Sequence, residues 1–253
     1  MQPANAAMAR HKQAKRARHH SLRFGLLLAL IGMALWLCWR ITYDHRPPPT
    51  KLRPIAVVDA GHGAILPSGI WDTGAIRYGL READVVLDIA YRCQSHLERR
   101  GWVAVLTRDT AVTPFTLAER TALAERINAD VFVSLHLNSY PSPQPHGVTV
   151  FYWSPQSQPL AALLQTQLSQ RLGLRDRGIE RGTFTVLVTA AMPAVLVELG
   201  FLSNPQDAQK LRNPQFRERA AIVLAETLTA WWGAQREGQE RRVTRFSSVP
   251  FRH

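Results

Sequence analysis

The chain has 253 residues and a formal charge of +12, with 31 Lys or Arg against 19 Asp or Glu. Residues 1–23 hold six of the bases and no acid, and both 24–54 and 235–253 are also basic, whereas residues 55–234 carry 16 basic and 16 acidic side chains. A neutral folded part lacks the basic face of a nucleic-acid binder. Two cysteines, Cys38 and Cys93, exclude a disulfide scaffold and a sulfur-rich zinc site.

Residues 1–23 read as a polar, basic tail on the cytoplasmic side. Phe24 to Trp39 is a run of 16 residues without a charge, bounded by Arg23 and Arg40. Snorkelling arginines and an aromatic belt of Trp36, Trp39 and Tyr43 extend it toward the ~20 residues of a bilayer span. The run ends in Leu-Trp-Leu-Cys-Trp-Arg, a poor signal-peptidase site. Residues 24–43 are therefore expected to be an uncleaved single-pass anchor in the inner (cytoplasmic) membrane, with the alternative of secretion after cleavage. The upstream positive charges place the domain beyond the anchor outside, in the periplasm. Residues 44–54, with Pro47-Pro48-Pro49, form an extended spacer.

From Ile55 strands alternate with helices. Ile55–Ala60 is an apolar run stopped by Gly61, His62 and Gly63, hence a buried strand. A glycine-containing loop extends to Arg81. Glu82–Arg100 is an amphipathic helix closed by Gly101. A strand over Trp102–Thr107 precedes a helix over Thr116–Asn128, with Thr116 and Glu119 in capping-box spacing. Val131–Leu137 and Gly147–Trp153 are strands, and Pro159–Leu172 is a helix. An Arg-rich turn leads to Gly182, with further strands over Phe184–Val188 and Ala194–Glu198. A last helix over Pro214–Trp232 ends at Gly233, leaving 235–253 as a loose basic tail. This order implies one α/β domain over 55–234, with a mostly parallel, roughly six-stranded twisted sheet flanked by helices.

Three strands end in ligand-type or acidic residues: His62, His136 and Glu198. Glu82 opens the first helix. Parallel strands bring such ends to one rim, where two histidines and a carboxylate suit a catalytic zinc and leave one position open for water. The residues taken alone leave the alternatives open. A strand-end histidine is often a satisfied core residue, and Glu82 suits a helix start without any metal. Glu198, within Ala-Val-Leu-Val-Glu-Leu-Gly-Phe, is costly to bury unless paired. Asp59 reads as a partner orienting the His62 imidazole or as a turn former. Asn138 reads as a substrate contact or a loop anchor. Arg177 and Arg181 read as groups for substrate carboxylates or as a solvated turn. His96 and His146 are not read as ligands, and Trp231-Trp232 reads as helix-end packing.

Five blocks in order raise the specificity. They are VVDAGHG at 57–63 with DTGA at 72–75, GLREADVVLDIA at 79–90, LTRD at 106–109 leading to LAERTALAERINADVFVSLHLN at 117–138, GVTVFYW at 147–153, and MPAVLVELGFLSNPQD at 192–207. Over about Ile55 to Trp232 the chain resembles the zinc-dependent N-acetylmuramoyl-L-alanine amidases of the type-3 amidase family. The resemblance implies one Zn2+ held by His62, Glu82 and His136, with Glu198 as the catalytic acid and base. It implies peptidoglycan as partner and cleavage of the amide between N-acetylmuramic acid and L-alanine, with room for a regulatory protein. The rivals are a zinc peptidase cutting within the stem peptide and a non-catalytic peptidoglycan-binding domain. The chain departs from the family pattern at Ala64 and in the extra residues Ile65 to Trp71. It also has no space after GVTVFYW for a long autoinhibitory insertion, so an unblocked cleft is expected.

Overall fold

A computed structural model describes residues 30–36, 53–66 and 68–247. The chain divides between Leu52 and Arg53. In the first unit only residues 30–36 are described; they are helical (α1) and exposed. Apart from Arg53 and Pro54, the rest of the expected anchor and spacer lies outside the described residues. Among the described residues no helix is long and apolar enough to cross a membrane.

The second unit is built on a six-stranded sheet of order β4-β1-β5-β8-β6-β7. Its strands are β1 (Ile55–Ala60), β4 (Val103–Leu106), β5 (Val131–Asn138), β6 (Val148–Tyr152), β7 (Asp176–Arg181) and β8 (Ala194–Phe201). Strands β4, β1, β5 and β8 are parallel, β6 is antiparallel to β8, and β7 is parallel to β6. The sheet is thus mostly parallel, with two reversed strands at one side.

Side chains alternate between the faces with the strand period of two. Ala56, Val58 and Ala60 of β1, Val133 and Leu135 of β5, and Val195 and Val197 of β8 pack with helices α2 (Glu82–Arg99), α4 (Gln158–Leu172) and α7 (Pro214–Ser247). Val57, Phe132, Ala194 and Leu196 face the other way, in a smaller cluster with Ala124 of α3 (Leu117–Arg126) and Val186 and Leu187 of α5 (Thr185–Val188). Each fully buried Leu, Ile or Phe of these clusters contributes ~1.5–3 kcal/mol relative to an exposed one. The same parity carries Ser134 and His136 along the Phe132 face of β5, and Glu198 along the Leu196 face of β8.

Outside the loop that precedes α2, four segments differ from the expectations set by the sequence. The turn expected before Gly182 contains β7, an edge strand bonded on one side whose polar residues stay mostly exposed. Such an edge lacks the apolar alternation that reveals inner strands. Phe184–Val188, expected as a strand, holds the single helical turn α5, which buries two consecutive residues, Val186 and Leu187, in one cluster. That is natural for a helix and not for a strand. Helix α7 continues through Gly233 to Ser247, because one glycine costs only ~1 kcal/mol against alanine in a helix. Helix α6 (Pro205–Arg212) has no counterpart among the expected elements. Asn204 caps it by accepting from the Gln206 and Asp207 amides, and Pro205 occupies its first turn. The Thr116–Glu119 capping box of α3 is formed as expected.

Candidate active site

The carboxyl ends of β1, β5 and β8 lie side by side, and the chain before α2 folds over them. The loop expected between Gly61 and Arg81 contains a short hairpin of β2 (Ile76–Arg77) and β3 (Leu80–Arg81). Its turn residues Tyr78 and Gly79 both have positive φ, as a tight hairpin turn requires. The hairpin delivers Glu82 to the rim as the first residue of α2. The Glu82 amide donates to Ala75 O at 2.9 Å, and the Ala75 amide returns a bond to Glu82 Oε2 at 3.0 Å.

His62, Glu82 and His136 converge. His62 Nε2 lies 2.8 Å from Glu82 Oε1, and His136 Nδ1 lies 3.1 Å from the same oxygen. The Leu137 amide also donates to that oxygen, at 2.9 Å. The two imidazoles meet edge to face with centroids 4.8 Å apart. The three side chains form a potential metal-holding group whose ligand atoms all lie within 4.8 Å of one another. Metal–ligand bonds of ~2.0–2.2 Å in a tetrahedral site place ligand atoms about 3.3 Å apart, close to the 2.8 and 3.1 Å between the two imidazole nitrogens and Glu82 Oε1.

Two glycines make this approach feasible. A Cβ on Gly61 would overlap Cε1 and Nε2 of His136 and come within 2.7 Å of Leu135 O. A Cβ on Gly74, where φ is +63°, would sit 2.7 Å from Glu82 Oε2 and 2.8 Å from His62 Nε2. His62 itself adopts φ = 63°, a left-handed conformation that costs a non-glycine residue about 1–2 kcal/mol. A bond to its carbonyl holds it there: Arg120 Nη2 donates to His62 O at 2.6 Å.

Electrostatics support a cation-holding set. Burial alone would raise the Glu82 carboxyl, but hydrogen bonds and charge from His136 and His62 outweigh it and hold Glu82 far below the ordinary carboxylate range. Burial pulls His62 down, and the carboxylates of Glu82 and Asp72 more than offset this, so its pKa is raised.

Glu198 pairs with His136 across β5 and β8 and with Thr149 across β6 and β8. Its Oε2 is buried with no hydrogen-bond partner among the described residues. Desolvation pushes this carboxyl up to about 7, with the Glu82 charge adding and the histidines opposing. A buried carboxyl titrating near neutrality beside two imidazoles is suited to accept and return a proton.

Asp59 does not touch the His62 ring. It accepts from Thr107 Oγ1 and Ser134 Oγ, each at 2.6 Å, and from Arg120 Nη1 at 2.9 Å. The place beside the His62 ring belongs to Asp72, whose two oxygens both lie 3.0 Å from Nδ1. This arrangement leaves Nε2 facing Glu82 and fixes the ring's orientation. The available signal was the DTGA block, whose aspartate carries no role when the sequence is taken alone. Asp72→Ala is expected to weaken metal binding 10–100-fold, measured by competition with a chelator. The fold should survive, since Asp72 is partly exposed at the surface.

The remaining residues fall near the rim or away from it. Asn138 pairs with Phe201 at the carboxyl ends of β5 and β8, and its carbonyl accepts from the Leu202 amide. Arg177 is exposed near the start of β7, with its guanidinium 5.1 Å over the Phe201 ring. Arg181, by contrast, stacks 4.2 Å over Trp153 at the far end of β6. There β8 begins, as the pairing of Tyr152 with Val195 shows. His96 pairs with Glu218 at 2.7 Å between α2 and α7, away from the site. Trp231 is buried, and Trp232 packs against Trp102.

Residues 56–230 match the Amidase_3 family, described as N-acetylmuramoyl-L-alanine amidase. The chain is 36% identical over 179 residues to the N-acetylmuramoyl-L-alanine amidase LytC of Bacillus subtilis, covering 69% of this chain and 35% of that one. It thus spans about a third of LytC's length. The solved catalytic domain of CwlV, an N-acetylmuramoyl-L-alanine amidase from Bacillus (Paenibacillus) polymyxa, superposes with a TM-score of 0.66 at 33% identity, covering 71% of this chain and 98% of that one. The CwlD amidase of Clostridioides difficile, solved in complex with the GerS lipoprotein, gives a TM-score of 0.66 at 25% identity, covering 72% and 100%.

Proposed function

The chain belongs to the N-acetylmuramoyl-L-alanine amidase family, and from that premise we propose that it is a zinc amidase of peptidoglycan. The bond cut is the amide between N-acetylmuramic acid and the L-alanine of the stem peptide. The single observation that carries this reading is the convergence of His62, Glu82 and His136 beside Glu198, whose buried Oε2 has no hydrogen-bond partner among the described residues.

The residues fit zinc in number and type, with two imidazoles, one carboxylate and one position left for water. When bound, zinc polarises the scissile carbonyl and makes water acidic enough to react at neutral pH. His62 presents Nε2 because Asp72 occupies Nδ1. Glu82 is held by the Ala75 and Leu137 amides, which fix the carboxylate's position. Glu198 takes the proton of the attacking water and returns it to the nitrogen of L-alanine as the amide breaks. Arg177 and Asn138, near the rim, are the groups assigned to the stem peptide, with Arg177 suited to a carboxylate.

Residues 24–43 would anchor the chain in the inner membrane with the domain in the periplasm. The basis is the flanking arginines and the charge asymmetry of the sequence. A regulatory partner is consistent with the CwlD–GerS complex.

Digestion of purified peptidoglycan with zinc and residues 51–253, followed by mass analysis, tests the reaction. Free stem peptides beginning with L-alanine are expected. Fragments cut inside the stem would replace this reading with a peptidase. No release despite bound zinc would leave a binding domain.

A further inference from the structure

Two buried arginines tie together the three segments that carry the metal-site residues. Arg108 and Arg120 are 3% and 1% exposed. Arg108 follows β4. It donates from Nε to Ala60 O at 2.8 Å and from Nη2 to Gly61 O at 2.8 Å and Ala83 O at 2.7 Å. One guanidinium therefore joins the residue before His62 to the residue after Glu82. Arg120 projects from α3 and donates from Nη2 to His62 O and from Nη1 to Asp59 Oδ1 at 2.9 Å. Asp59 in turn accepts from Ser134, two residues before His136 on the same strand face. The chain of bonds thus reaches all three positions without touching a ring or carboxylate of the site.

Burying two guanidiniums beside each other is costly, and among the described residues Asp59 is the single carboxylate bonded to either. Other packing would hold a sheet edge as well. A planar fork of five fixed donors, however, is suited to locking several carbonyls at set angles, which the flexible ammonium of lysine cannot do. Three of the carbonyls locked here, those of Ala60, Gly61 and His62, belong to the segment in which His62 is forced to positive φ. The geometry points to Arg108 and Arg120 as positioning residues that hold His62, Glu82 and His136 in place before the metal arrives. This rests on the zinc reading above, and its consequence is specific. Loss of either fork should lower zinc affinity and alter the ligand field, and leave the KM for peptidoglycan fragments unchanged.

The test uses the full chain in metal-free form. Zinc dissociation constants are measured by chelator competition for the wild type, Arg120→Lys, Arg108→Lys and Leu168→Ala. Leu168→Ala is a control that opens the core at a fully buried site on α4. Each protein is also loaded with Co2+ and its visible spectrum recorded. Arg120→Lys and Arg108→Lys should bind zinc 10–100-fold more weakly and shift the cobalt bands. The control should melt lower with affinity and spectrum unchanged. Folded lysine variants with wild-type affinity and spectrum would overturn the inference, as would an equal loss of affinity in the control. If neither lysine variant folds, Ser134→Ala decides, because it loosens Asp59 alone. At least threefold weaker zinc is then expected, and an unchanged constant overturns the proposal. A wild type that binds no zinc would instead refute the metal reading itself.

Discussion

Glu198→Gln is expected to cut peptidoglycan turnover at least 100-fold, to keep zinc at the wild-type level, and to raise the melting temperature of the metal-free protein at pH 8. The first effect follows from removing the group that moves the proton, which typically contributes 10²–10⁴-fold. Zinc is retained because Glu198 is not among the three converging ligands. The third effect is a matter of sign. Burial lifts this carboxyl from 4.5 to about 7. Below pH 4.5 it is protonated in both folded and unfolded chains, so glutamine and glutamate proteins should melt together. From pH 4.5 to 7 the unfolded chain loses the proton first, and the folded state is progressively penalised. Above pH 7 the penalty is complete, at roughly 3 kcal/mol as an upper bound. Glutamine never ionises and escapes it. His136→Ala should behave differently, losing zinc and turnover together. Thermal melts at pH 4 and pH 8 in the presence of a chelator, with turnover and metal content alongside, check these outcomes. Retained turnover in Glu198→Gln, or no gain in melting temperature at pH 8, would refute the role assigned to this carboxyl.

The sequence revealed five of the six strands of the main sheet and missed the polar edge strand β7, for one physical reason. Strands β1, β5 and β8 are almost wholly buried, so each shows as a mainly apolar run with few polar residues, and His62, His136 and Glu198 stand at or near the carboxyl ends of those runs. Those endings are what made His62, His136 and Glu198 visible. Edge strand β7 has no such pattern, and the short apolar stretch at Phe184–Val188 fits a strand or a helical turn equally well. At the site, Asp59 stands out because it lies three residues before His62, yet sequence proximity points it to the wrong neighbour. The backbone is redirected at His62 and Gly63, both at positive φ, and Asp59 ends inside the sheet against Thr107, Ser134 and Arg120. The ring's actual partner, Asp72, lies ten residues away, and only the strand-like pairing of the loop brings it back. Gly63 N bonds to Asp72 O and Asp72 N to Ala64 O, each at 2.8 Å. Arg108 and Arg120 were hidden for a different reason. A buried arginine bonded mainly to carbonyls has little signature by residue type, because all the partners of Arg108 and all but Asp59 of those of Arg120 are backbone atoms.

Gly61→Ala should abolish zinc binding and activity while leaving a folded chain, although a change this small is ordinarily benign. The added methyl would overlap the His136 ring and approach Leu135 O to 2.7 Å. The ring has limited room to retreat. Its backbone is held in β5 between β1 and β8, and its Nδ1 side already meets Glu82. Nor can the backbone of Gly61 move freely, because its amide donates to Leu135 O at 3.0 Å and its carbonyl accepts from Arg108. The methyl must therefore displace the imidazole or separate the ends of β1 and β5. Either result removes one of the three ligands. Overpacking of this kind costs about 1–3 kcal/mol, within the roughly 5–15 kcal/mol that holds a typical domain folded. The core under α2, α4 and α7 lies away from the change, so circular dichroism should remain native while bound zinc falls to background in equilibrium dialysis. Wild-type zinc content in Gly61→Ala would show that His136 is not needed where the geometry places it, and the proposed ligand set would have to be abandoned.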